Sequence, residues 1–164
     1  MIRNRKGVKI ELIAKIIESI KAEIPNILHF AVFYNNGTVF HTDFHEPANV
    51  PEIGAQLSYI INHGQRLVDQ SGFKAKNYRR MIYETAEFMI IVLPLGEDSH
   101  MALFLDRPAT EIRIQPIQKY LEIIQDIVDV STAELQQIED EEKAKELEEE
   151  ELKEEKKSAN ETEN

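Results

Sequence analysis

The chain has 164 residues, no cysteine and a formal net charge of −11 at pH 7. The lack of cysteine excludes disulfides, thiolate metal sites and cysteine nucleophiles. The longest apolar run, residues 88–95, is far shorter than the roughly 20 residues of a membrane helix. Residues 134–164 hold 14 of the 30 acidic and 5 of the 19 basic residues, which leaves residues 1–133 with a charge of −2.

This charge distribution predicts a nearly neutral domain over residues 1–133 and an acidic tail over residues 134–164 that is mobile or transiently helical. The domain has no dense basic stretch, so we expect no nucleic-acid partner. We also expect no membrane insertion, no cofactor and a cytoplasmic location.

The first predicted elements are a helix and a β-hairpin. Isoleucines recur at steps of three and four from residue 10 to residue 24, which predicts an amphipathic helix that ends before Pro25. Strand-forming residues at 28–34 and 38–44 flank Asn36 and Gly37. This pair favours a two-residue hairpin turn with positive φ at both positions.

A second helix is predicted to begin at Asn49, a favourable N-cap, and to end before Gly72. Gly54 and Gly64 lie inside it, and each costs about 1 kcal/mol relative to alanine. Close packing of the helix on a sheet is the preferred explanation, with a helix–helix contact as the alternative.

Three more strands and a helix complete the domain. The strands are predicted over 78–85, 88–95 and 100–105, and their short turns indicate an antiparallel meander. The last two are apolar at nearly every position, which indicates a sheet covered on both faces. A third helix is predicted over 116–130. The order α-β-β-α-β-β-β-α is an α+β sandwich.

The sequence offers one candidate metal site and little catalytic chemistry. It contains no phosphate-binding glycine loop and no G-x-S-x-G elbow, and Ser99-His100 lacks a third member. His41, Asp43 and His45 share one face of the predicted strand and are ligand types for zinc or iron. They lie roughly 7 Å apart along a strand, so we expect a solvated strand face and keep metal binding as an alternative hypothesis.

The ordered elements and several local strings resemble the roadblock family, which comprises the roadblock-type dynein light chain and its prokaryotic relatives. The resemblance covers about residues 8–130 and rests on the stretches 23–40, 54–72 and 82–106. It implies a three-layer, roadblock/profilin-like sandwich: a five-stranded antiparallel sheet with the second helix on one face and the other two on the opposite face. Longin domains share the sheet type, but they begin with strands.

The resemblance also implies a function. Family members are generally not enzymes; they dimerise through the second helix and third strand and bind small Ras-like GTPases as scaffolds or regulators. Carried onto this chain, the interface comprises Gly54, Ser58, Ile61, Gln65 and Val68 on the outer helix side and Arg79, Met81 and Tyr83 on the strand edge. The alternative is a small-ligand or metal sensor on the same fold. Arg79 and Arg80 could meet phosphate charge, although a solvated strand end is the preferred explanation.

Overall fold

Five strands form one antiparallel sheet, and three helices cover its faces. The structure is a computed structural model, and it describes residues 2–74, 77–106, 113–133, 136, 137, 140 and 143, with side chains from Val8 onward. In chain order the elements are helix α1 (Ile2–Glu23), strands β1 (Ile27–Tyr34) and β2 (Val39–Thr42), helix α2 (Val50–Gln70), strands β3 (Met81–Glu84), β4 (Phe88–Pro94) and β5 (Ser99–Asp106), a 3-10 turn (Gln115–Ile117) and helix α3, described over residues 118–133.

Residues Met1–Val128 form one compact unit, and Asp129–Asn164 form a second. Of the second unit the structure describes residues 129–133, 136, 137, 140 and 143, all of them helical. Most of the predicted acidic tail therefore lies outside the described residues. Among the helices that are described, none combines the length and the apolar character needed to cross a membrane.

The strand order is β2-β1-β5-β4-β3, so β5 lies at the centre and β2 and β3 are the edges. All neighbours pair antiparallel, as the short turns predict. Strand β5 is buried from Ser99 to Leu103, which confirms that its apolar run is covered on both faces.

Two hydrophobic clusters lie on opposite faces of the sheet, since alternate strand residues point to opposite sides. Phe30 and Val32 point to the cluster shared with α1 and α3, whereas Ala31 and Phe33 point to the cluster shared with α2. The predicted three-layer α+β arrangement is thus confirmed. The first cluster is the larger, and its fully buried helix residues are Ile13, Ile17, Ile20, Ile117, Ile124 and Val128.

The hairpin between β1 and β2 has a different turn from the predicted one. Tyr34 donates its N–H to the Thr38 oxygen at 2.9 Å, and Gly37 donates to the Tyr34 oxygen at 2.8 Å. Gly37 has a φ of 86°, whereas the single non-glycine residue with positive φ in the described part of the chain is Asn26. The loop therefore has three residues, with Gly37 in the left-handed position, and the expected two-residue turn is wrong.

Strand β2 ends at Thr42 rather than at residue 44. The reason is that side chains take over the hydrogen bonds of the ladder. Asp43 Oδ1 accepts the Phe30 N–H at 2.9 Å, and Thr42 Oγ1 donates to the Phe30 oxygen. With both backbone groups of Phe30 satisfied in this way, no further strand residue pairs there.

Candidate interaction surface

Helix α2 packs on the sheet through the side that carries Gly54, the glycine that lies against the β1–β2 hairpin. A Cβ on Gly54 would collide with the Gly37 carbonyl oxygen and would lie 2.7 Å from Val39 Cγ2. A Cβ on Gly64 would lie 3.0 Å from Met81 Cε. Gly54 therefore allows the helix to approach the sheet closely, as the preferred explanation predicts, whereas Gly64 meets only the end of one flexible side chain.

This packing corrects the expected outer side of α2. Gly54 and Ser58 are buried within the chain, and the Ser58 hydroxyl donates to the Asn35 oxygen. Ile61 packs against the cluster on this face of the sheet, and Gln65 and Val68 are half-buried. The stripe inferred from the resemblance thus runs along the sheet-facing side, so Gly54 and Ser58 are not available to a partner.

The exposed apolar residues of α2 are Ile60, Leu67 and Tyr59, with exposed fractions of 44%, 65% and 58%. At 100° per residue, Ile60 and Leu67 lie about 20° apart around the helix and about 40–60° from Gly64. Since Gly64 contacts Met81 of β3, this apolar flank faces the β3 side of the sheet. Tyr59 lies about 100° away from Ile60 and stacks on His63 at 3.8 Å.

Strand β3 is an exposed edge with large apolar side chains. Ile82 is 47% and Tyr83 is 60% exposed, and Arg79, Arg80 and Glu84 are exposed as well. Met81 differs from them because it is half-buried and packs against the cluster under α2. An edge with unpaired backbone groups and exposed apolar residues is prone to pair with another strand.

A hydrogen-bonded network centred on the buried His100 holds the segment that precedes β3. Tyr78 OH lies 2.7 Å from His100 Nδ1, and His100 Nε2 contacts Asn35 Oδ1. Asn35 Nδ2 in turn donates to Asp98 Oδ1 at 2.9 Å. Because an amide oxygen can only accept, His100 Nε2 carries the proton and Nδ1 accepts the tyrosine hydroxyl. The β1–β2 turn, β5 and the approach to β3 are thereby tied together.

Burial controls the protonation of His100 and Tyr78. Burial lowers the pKa of His100 to about 4, although Asp98 opposes the shift. Burial also raises the pKa of Tyr78. Both groups are therefore neutral at pH 7, which is the state that the donor–acceptor order requires. The sequence gives no local signal for these hydrogen bonds, because most of the residues that form them are far apart along the sequence.

The structure separates His41, Asp43 and His45. His41 packs edge-on against Phe30 at 5.4 Å, and burial lowers its pKa against the opposing influence of Asp43. Asp43 faces His29 Nδ1 at 3.5 Å, and His45 Nδ1 lies 3.2 Å from the Asp43 backbone oxygen. The expected shared strand face is wrong, because the strand ends at Thr42.

Within the described ranges, no three His, Asp or Glu side chains are grouped so that they could hold a metal ion. Ser99 and His100 also do not act as a pair, since neighbouring strand residues point to opposite faces. His100 uses both ring nitrogens in its hydrogen bonds to Tyr78 and Asn35. The exposed flank of α2 and the β3 edge are therefore the candidate functional surface.

Solved structures share this fold. The structure titled "MglB with tetrameric arrangement" aligns with a TM-score of 0.61 at 13% identity, over 74% of this chain and 90% of that one. The gliding protein MglB from Thermus thermophilus aligns at 0.59 and 13% identity, over 74% and 91%. A Roadblock/LC7 domain from Streptomyces avermitilis aligns at 0.56 and 14% identity, over 71% and 93%.

These likenesses confirm the fold that the sequence predicts, which is that of the roadblock domains. No family model and no curated protein sequence matches the chain.

Proposed function

We propose that this chain, which has the roadblock-type fold, is a non-catalytic homodimeric scaffold that binds a small Ras-like GTPase and regulates or recruits it. The observation that carries the proposal is the exposure of large apolar residues both on the α2 flank, at Ile60 and Leu67, and on the open β3 edge, at Ile82 and Tyr83. Exposed apolar residues beside an open strand edge are typical of surfaces that pair with another chain.

The dimer would use Ile60 and Leu67 of α2 together with Ile82 and Tyr83 of β3. All four are exposed, so dimerisation would remove their apolar surface from water. Pairing of two β3 edges would also satisfy the backbone groups that the sheet leaves open. Arg79, Met81 and Tyr83 remain predicted contributors to this interface. Met81 is half-buried against the cluster under α2, so it would present only part of its side chain to the partner.

The GTPase would bind the outward ridge of α2, where Tyr59 stacks on His63. Tyr59 points away from the flank assigned to the dimer, so both surfaces can be occupied at once. Exposed tyrosines are favoured anchors in protein interfaces, because they present a large rigid surface with one polar tip.

Two measurements test the proposal. Light scattering on the full chain at micromolar concentration should give the mass of a dimer, and a monomer would contradict it. Purified small GTPases of the same cell, loaded with GDP or a non-hydrolysable GTP analogue, should then bind in calorimetry, with GTP hydrolysis followed separately. Tyr59→Ala should weaken that binding at least tenfold while the dimer persists, whereas Gln70→Ala, exposed on the same helix, serves as the control.

A further inference from the structure

The hydrogen-bond pattern of β3 determines which of its residues face the open edge. Thr85 donates its N–H to the Phe88 oxygen at 2.9 Å, and Tyr83 pairs with Ile90 while Met81 pairs with Val92. In an antiparallel pair, hydrogen-bonded and non-hydrogen-bonded residues alternate. The odd-numbered residues therefore bond to β4, and the backbone groups of Ile82 and Glu84 point to the open edge.

The alternation also determines the faces. Met81 and Tyr83 point to the α2 side, as do their partners Val92 and Ile90, whereas Ile82 points to the α1 side with Ile91. Two β3 strands related by a two-fold axis normal to the sheet run antiparallel and keep their faces. Opposed residues then share a face, so one residue lies opposite its own copy and the axis passes midway between these two copies.

Three registers satisfy this condition near the middle of β3. An axis between the two copies of Met81 sets Arg80 against Ile82, and an axis between the two copies of Tyr83 sets Ile82 against Glu84. Both bury a charge against an apolar side chain, which costs free energy. An axis between the two copies of Ile82 instead sets Met81 against Tyr83 and Arg80 against Glu84. Apolar residues then meet apolar residues, and opposite charges meet twice.

We infer that a second copy of this chain pairs with β3 in that last register, with the two copies of Ile82 opposite each other across the two-fold axis and Arg80 opposite Glu84 of the other copy. The inference rests on the proposed homodimer and specifies how its edge is recognised. Arg80 and Glu84 are both exposed in the single chain, so each is free to meet its counterpart. The strand is thus complementary to itself in its charges and in its apolar positions.

A cysteine scan measures the register, because the chain has no cysteine of its own. Single cysteines at positions 80 to 84 of the full chain are oxidised, and the cross-linked dimer is quantified. A residue opposite its own copy in a hydrogen-bonded pair has Cα atoms about 5.5 Å apart, within the disulfide range of about 4.4–6.8 Å. We expect the maximum at Ile82→Cys and far less at Glu84→Cys.

A maximum at Met81→Cys or Tyr83→Cys would overturn the register. Cross-linking at none of the five positions, in a chain that light scattering shows to be dimeric, would overturn pairing through β3. A monomeric wild-type chain would instead overturn the proposed homodimer itself, so the two failures are distinguishable.

Charge reversal provides an independent test. Arg80→Glu and Glu84→Arg should each raise the dimer dissociation constant roughly 5–30-fold, because two symmetric pairs become repulsive. The double variant Arg80→Glu/Glu84→Arg should restore dimerisation. Glu87→Arg is the matched control, since Glu87 is exposed in the turn after β3 and lies outside the paired positions. Lack of restoration in the double variant would contradict the Arg80–Glu84 pairing.

Discussion

Replacing Gly54 by alanine tests how closely α2 approaches the hairpin. A Cβ at this position would meet backbone, the Gly37 carbonyl, and would press on Val39 Cγ2 at 2.7 Å. Neither neighbour can move alone, because Gly37 is held in the turn by its hydrogen bond to Tyr34. The first turns of α2 would therefore have to lift from the sheet, and Ser58 would lose its bond to the Asn35 oxygen.

The opposing contributions can be estimated. Alanine should add about 1 kcal/mol through its helix propensity. Overpacking costs about 1–3 kcal/mol, and the lost hydrogen bond costs about 1 kcal/mol. We therefore expect Gly54→Ala to lower the free energy of unfolding by about 1–3 kcal/mol.

Gly64→Ala is the matched control in the same helix. Its Cβ would meet only the end of the Met81 side chain, at 3.0 Å from Cε. A methionine tip moves readily, so the propensity gain should remain and stability should rise by up to about 1 kcal/mol.

Urea unfolding followed by circular dichroism measures both variants, at one fixed protein concentration because dimerisation shifts apparent stability. If Gly54→Ala were as stable as Gly64→Ala, the close approach of α2 to the hairpin would be refuted.

Three further predictions concern pH, the β2 end and the β3 edge. Burial lowers the pKa of His100 to about 4, so the unfolded chain binds the proton more tightly than the folded one. The free energy of unfolding should therefore be full above pH 6.5 and fall toward pH 4 by on the order of 2–3 kcal/mol. Urea unfolding at pH 7 and pH 4.5 should show this loss in the wild type and a smaller one in His100→Gln; equal losses would contradict it. Asp43→Ala should lower the free energy of unfolding by about 1–2 kcal/mol, because it removes the acceptor of the Phe30 N–H, whereas Asp43→Asn should retain most of the stability. In calorimetry with zinc, the wild type and the His41→Ala/His45→Ala variant should give the same heat. Ile82→Asp should give a folded monomer by light scattering and circular dichroism. Met81→Asp should also lower the melting temperature, because Met81 packs within the chain. A dimer that persists in Ile82→Asp would remove Ile82 from the interface.

Local patterns in the sequence were sufficient for most of the elements. Asn49 accepts the Glu52 N–H as an N-cap at 3.3 Å, and Gly72 takes a φ of 78° after α2. These features depend on a few neighbouring residues, so they are legible without the fold. The length of β2 cannot be read from the local sequence, because the strand ends where the side chains of Thr42 and Asp43 hydrogen-bond to the Phe30 backbone.

The candidate surface shows the same division. The resemblance predicts an interface on α2 and β3, and this stays a prediction; its stripe through Gly54 and Ser58, however, lies against the sheet. Helical periodicity identifies which residues share a side, whereas only packing shows which side is covered.

The sequence by itself therefore determined the order of elements and the sandwich class. The tertiary structure decided which flank of α2 stays exposed, how His100 is joined to Tyr78 and Asn35, and which backbone groups of β3 remain open. The physical reason is range: caps, turns and periodicity act within a few residues, whereas exposure and strand phase depend on contacts between residues far apart along the chain.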